Sequence, residues 1–84
     1  MHIRFRIVGM HSSELLLRTL NVFAQQGLVP ETVSAVRDRD RYRIEIDVSG
    51  GAPARIELVA EKLRALVLVI EASHSAGLPE RAAA

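Results

Sequence analysis

Eighty-four residues, 49% of them hydrophobic, suffice for one small domain with its own core and no more. With no cysteine there is no disulfide to staple so short a chain, and three scattered histidines give no structural metal, so regular packing and self-association are the expected sources of stability. A formal net charge of +1 gives no electrostatic footing for nucleic acid or anionic lipid, and the longest apolar run, Ala65 to Ile70, is too short to span a bilayer.

Taken in chain order, His2 to Val8 (HIRFRIV) alternates strictly. Ile3, Phe5 and Ile7 point one way and His2, Arg4 and Arg6 the other, which predicts a half-buried strand. Gly9 and Met10 break the alternation. A helix is expected over Ser13 to Gln26, with Leu16, Leu20 and Phe23 as its apolar stripe, continued by Ala24 and Gly27. Gly27 is placed to close that helix in a left-handed conformation. Leu28, Val29 and Pro30 lead into a second strand, roughly Glu31 to Arg37, whose nearby proline suits an edge. The charge-alternating RDRDR (Arg37 to Arg41) reads as a hairpin tip, and Tyr42 to Val48 (YRIEIDV) as a third strand with Ile44, Ile46 and Val48 inward. SGGAP (Ser49 to Pro53) breaks the chain and opens a second helix striped by Ile56, Val59, Ala60 and Leu63. Val67 to Ser73 is the last strand. Residues 1–75 then form the single domain, and from Ala76 the chain reads as a disordered tail.

The order β-α-β-β-α-β in about 75 residues predicts an α+β, ferredoxin-like βαββαβ sandwich: a four-stranded antiparallel sheet with two helices on one face. Right-handed crossovers put the first and third strands at the centre, so Arg4 and Arg6 should meet Glu45 and Asp47 on the open face. Such a sheet keeps a bare edge, and a side-by-side homodimer would cover it; the alternative is a monomer with solvated edges.

The stretch GMHSSELL (Gly9 to Leu16) gathers a histidine, two serines and a glutamate. Adjacent side chains diverge and rarely make a nucleophile–base pair, and no G-x-S-x-G elbow is present. Ser12 or Ser13 as helix cap, with Glu14 in the first turn, accounts for the pattern, while the helix N-terminus keeps an anion-binding role open. His2, His11 and His74 have no metal-ligand spacing, so no metal is expected. RNA recognition on this architecture needs exposed aromatics on the central strands, and Phe5 belongs to the inward face. Acylphosphatase-type chemistry, which uses the same fold, needs a glycine-rich loop with an arginine where this chain has VGMHSSE.

Two runs, LLLRTLNVFAQQGLVPETVSAVRDRDRYRIEIDVSG and IELVAEKLRALVLVIEAS, resemble ACT domains, in particular the small regulatory subunits of acetohydroxyacid synthase (acetolactate synthase). VFAQQGLVPETV matches the end of their first helix and the approach to the second strand, and KLRALVLVIEA their leucine-rich passage into the last. The likeness spans about residues 3 to 74. It implies a non-catalytic chain with no cofactor of its own, one that dimerises through its ACT sheet and helices. It also implies binding to the thiamine-diphosphate-dependent catalytic large subunit, activation of that subunit, and a role in branched-chain amino acid biosynthesis. A free-standing ACT-type amino-acid sensor or protein-interaction module for another partner is the alternative. With no secretory signal at the N-terminus, a cytoplasmic location is expected.

The resemblance also implies an effector site in the turn after the first strand, at Gly9, Met10, His11, Ser12, Ser13 and Glu14, together with Leu28 and Val29. Effector-binding members carry asparagine or aspartate followed by proline-glycine in that turn, and the glycine lets backbone amides approach the ligand carboxylate. Here Ser13 and Glu14 stand in the proline-glycine places, with His11 or Ser12 before them. A glutamate there repels a carboxylate, so weak or absent valine binding is expected.

Overall fold

The computed structural model describes residues 2–77. Its elements are β1 (His2–Met10), α1 (Leu15–Gln25), β2 (Thr32–Asp38), β3 (Arg41–Ser49), α2 (Pro53–Arg64) and β4 (Val69–Gly77). The four strands form one antiparallel sheet in the order β2-β3-β1-β4, with β3 and β1 central as the crossover rule requires. The expected α+β, ferredoxin-like βαββαβ architecture is therefore the observed one.

The alternation seen in the sequence decides which face is buried. Ile3, Phe5 and Ile7 lie opposite Val48, Ile46 and Ile44 in the β1–β3 register, and all six are in the core. Phe5 meets Phe23 of α1 edge-on, with ring centroids 5.0 Å apart. From α2, Ile56, Val59, Ala60 and Leu63 complete the core, the four residues its periodicity predicts. Gly27 closes the end of α1 with a φ of 73°, as expected.

Several boundaries move. β1 continues through Gly9 and Met10, so the alternation is not broken there, and Gly9 takes the next inward place after Ile7. Residues 65–68 make a turn, and β4 begins at Val69 instead of Val67. β4 also includes Ala76 and Gly77, which pair with Ile3 and His2. The domain thus extends beyond 75; the rest of the expected tail, 78–84, lies outside the described residues.

The phase of α1 is the main correction. Leu15, Thr19, Val22 and Phe23 are its buried residues, whereas Leu16 and Leu20 only flank the core, and Leu17, Ala24 and Gly27 are exposed. The helix is apolar around more than half its circumference, so periodicity could not select the buried stripe. Thr19 is fully buried, and its hydroxyl has no partner among the described residues, a cost of about 1–3 kcal/mol that the packed helix carries.

On the sheet's open face Arg4 donates twice to Asp47, at 2.7 and 3.1 Å, and Arg6 lies 3.5 Å from Glu45, the pairs expected from the alternation. The Arg4 guanidinium holds the Asp47 carboxyl below the ordinary value of 3.8; partial burial opposes this, and the Thr32 hydroxyl, donating at 2.6 Å, adds to it. A carboxyl whose pKa folding lowers contributes stability above the unfolded value and loses it as pH falls through the lowered one. Asp47→Asn is therefore expected to cost about 1–2 kcal/mol near neutrality. Thermal melts should show the gap between wild type and variant narrowing as pH falls below the ordinary aspartate range; a constant gap contradicts this.

Candidate effector site and uncovered flank

The chain from Gly9 to Glu14 crosses from the end of β1 to the start of α1 and is fastened on both sides. Met10 N–H donates to the Leu68 carbonyl in the α2–β4 turn, and His11 N–H to the Asp40 carbonyl in the β2–β3 hairpin, both at 2.9 Å. The His11 ring stands edge-on to Tyr42, with centroids 6.1 Å apart. Gly9 is needed for space. A Cβ there would lie 2.5 Å from Leu15 Cδ2 and 2.6 Å from the Leu68 carbonyl oxygen. Opposite Gly9 the β1–β4 register slips by one residue, with Gly9 against Val69 and Val8 against Glu71, which makes Ile70 the extra residue of a bulge.

The serine cap takes a form the sequence did not specify. Ser12 Oγ accepts the Glu14 N–H at 3.1 Å, and the Ser12 carbonyl accepts the Leu15 N–H at 3.3 Å. Glu14, the residue flanking the helix, makes no side-chain cap of its own; its carboxylate pairs with Arg18 one turn later, at 2.9–3.0 Å. The Met10, His11, Glu14 and Leu15 amides thus all donate internally, so a ligand carboxylate would find few backbone donors in this turn.

Leu28 and Val29 do not join the turn within one protomer. They follow α1, whose eleven residues span about 16 Å, at the end opposite Gly9–Glu14. Leu28 is in the core, and Val29 is 80% exposed. Of the three histidines, His2 pairs with Glu31 at 3.2 Å and His74 with Glu57 at 3.1 Å, so each holds a strand residue to a neighbouring segment. Among the described residues no group of His, Cys, Asp and Glu is arranged to hold a metal, and no helix is long and apolar enough to cross a membrane.

The edge position of β2 is the expected one, but the apolar flank of α1 beside it is not read from the sequence. β2 is exposed along its whole length, although Val33 and Ala35 face the helix layer opposite Ile46 and Ile44. The helices do not reach over this edge strand. Leu17, 70% exposed, lies with Leu20 and Ala24 along the outer side of α1, and Leu20 and Ala24 share a shallow groove with Leu28, Val29, Pro30 and Val33. The signal was present in the apolar triplet Leu15–Leu17, which is wider than one buried face requires.

A family model described as an ACT-like domain matches residues 1–78. No curated protein matches the chain by sequence. Among solved structures, the ACT domain from GTP pyrophosphokinase of Chlorobium tepidum superposes with a TM-score of 0.78 at 14% identity, covering 88% of this chain and 96% of that one. The C-terminal domain of the MgtC protein from Mycobacterium tuberculosis gives 0.74 at 14% identity, with 90% and 86% covered. The acetolactate synthase small subunit from Thermotoga maritima gives 0.76 at 20% identity; the match covers 95% of this chain but 50% of that subunit. At these identities the structural likenesses establish the fold.

Proposed function

The chain belongs to the ACT-like domain family, a family of regulatory, amino-acid-binding modules, and from that premise we propose that it is a non-catalytic regulatory subunit working as a homodimer. The observation that carries the dimer is the apolar outer side of α1 running onto the unpaired edge of β2. A second copy related by a two-fold axis would pair β2 with β2 antiparallel, continue the sheet, and bury Leu17, Leu20, Ala24, Val29 and Val33 against their equivalents.

Antiparallel pairing would also reunite the two halves of the effector site. β2 begins beside Val29 and ends at the hairpin that is bonded to the Gly9–Glu14 turn. Reversing one β2 against the other sets Leu28 and Val29 of one protomer toward the turn of its partner. In that seam the internally committed amides and Glu14 leave little to hold a free carboxylate. Valine is therefore expected to bind at millimolar affinity or weaker by titration calorimetry; micromolar binding would overturn this reading of the turn.

The enzyme it serves, in this proposal, is acetohydroxyacid synthase, whose thiamine-diphosphate-dependent catalytic subunit it would bind and activate in the cytoplasm. The resemblance of the two sequence runs and the fold shared with an acetolactate synthase small subunit support it. Reconstitution with the large subunit from the same source should raise acetolactate formation and yield a co-purifying complex. Unchanged activity with no complex would favour a free-standing ACT-type sensor or interaction module.

A further inference from the structure

The two edges of the sheet are unlike, and the ladder fixes which groups β4 leaves over. Met10 N–H reaches the Leu68 carbonyl and His11 N–H the Asp40 carbonyl, so even residues of β1 bond toward β4 and odd ones toward β3. Ile3, Phe5 and Ile7 therefore face Ala76, His74 and Ala72 as non-hydrogen-bonded pairs, and those three β4 residues turn N–H and C=O to the outer edge. The second helix reaches across to that strand twice. Arg64 Nε donates to the Ala72 carbonyl at 3.2 Å, and Glu57, two turns earlier on α2, meets His74 Nε2 at 3.1 Å. The bulge at Ile70 bends the start of the same strand. β2 has none of this. Its register with β3 runs without a shift, and the side-chain donors described bond to the carbonyls of Arg39, Gln26 and Ala72, none of them in β2.

We propose that Arg64 closes the β4 edge to strand addition, so that the sheet is open to extension at β2 alone. An unguarded edge strand is a template for any second strand, and proteins blunt such edges with charged side chains, bulges or a covering helix. On β4 the bulge guards only the first residues. Ala72, Ser73, Ser75 and Ala76 are too small to obstruct an approach further along, which leaves that stretch to the side chains of α2. A strand arriving there must displace the guanidinium from the Ala72 carbonyl. The arginine then loses its hydrogen bond and lies in the path of the new ladder, a cost that an open edge does not impose. Were both edges open, β2–β2 and β4–β4 contacts would alternate from chain to chain and assembly would have no end. With β4 closed, a pair joined at β2 has no further edge to offer. The inference goes beyond the regulatory reading and needs neither the catalytic partner nor an effector.

The test is sedimentation equilibrium of Arg64→Ala and Arg64→Lys in the full chain, over about a hundredfold range of concentration. Each variant is made in the native background and in one carrying Leu17→Glu and Val33→Glu, which closes β2. With β2 closed, the chain that keeps Arg64 should stay single, and Arg64→Ala should pair at least about tenfold more tightly than its parent. With β2 open, Arg64→Ala should grow past two chains as concentration rises. Arg64→Lys keeps the charge and a donor on a shorter reach and should fall between. Hydrogen exchange locates the contact: the Ala72, His74 and Ala76 amides should gain at least about tenfold protection on association. An Arg64→Ala chain with its parent's mass in both backgrounds overturns the proposal. So does association without protection of those three amides, the mark of unfolded chain or of another surface. Failure of the dimer reading shows separately, as a wild type that is monomeric with β2 open. Arg64→Ala then still supports the proposal by pairing through β4, or overturns it by staying single.

Discussion

Gly9→Ala is expected to destabilise the fold by about 2–3 kcal/mol and to lower the melting temperature by roughly 10–20 °C, which a thermal melt followed by circular dichroism would measure. The added methyl would sit 2.5 Å from Leu15 Cδ2 and 2.6 Å from the Leu68 carbonyl oxygen. The leucine tip can rotate away. The carbonyl cannot, because it belongs to the α2–β4 turn and accepts the Met10 N–H at 2.9 Å. Relieving the clash means lifting that turn from β1, which breaks the hydrogen bond. A loss below about 1 kcal/mol would mean that the turn is free to shift.

Leu17→Glu combined with Val33→Glu is expected to convert a dimer to a monomer, raising the dissociation constant by at least about a hundredfold. Leu17 is 70% exposed and Val33 44%, so within one protomer neither replacement empties the core. Across a two-fold axis each glutamate would face its own copy, adding like-charge repulsion to the lost apolar contact. Sedimentation equilibrium would give the mass of one chain in place of two. The wild type's melting temperature should rise with protein concentration and the variant's should not. A wild type that is monomeric throughout, or a variant that remains dimeric, would remove the seam from the proposed function.

The candidate site was only partly legible in the sequence. Gly9 to Glu14 stood out through residue type, and a serine cap ahead of the helix follows from local preference, but α1 begins at Leu15 instead of Ser13 and leaves Glu14 outside its first turn. What fastens that turn did not stand out, because its partners, Leu68 and Asp40, come from distant segments brought in by the α2–β4 connection and the hairpin. Leu28 and Val29 were grouped with the turn by resemblance, yet one protomer holds them at opposite ends of α1. The α2–β4 turn was invisible for a related reason: Val67 and Leu68 read as the start of the last strand, and only the later start of β4 leaves them in the turn.

By itself the sequence determined the order of the six elements, the inward faces of β1, β3 and α2, and the Arg4–Asp47 and Arg6–Glu45 pairs. These follow from periods of two and 3.6 residues, which act over a few neighbouring positions and need no knowledge of the rest of the chain. Tertiary structure alone decided the rotation of α1, the exposure of β2, the bulge at Ile70 and the clasp on the Gly9–Glu14 turn. A helix apolar on more than one face has no local reason to prefer either. Its phase is set by which side the sheet covers, and the side left over becomes the surface available to a partner.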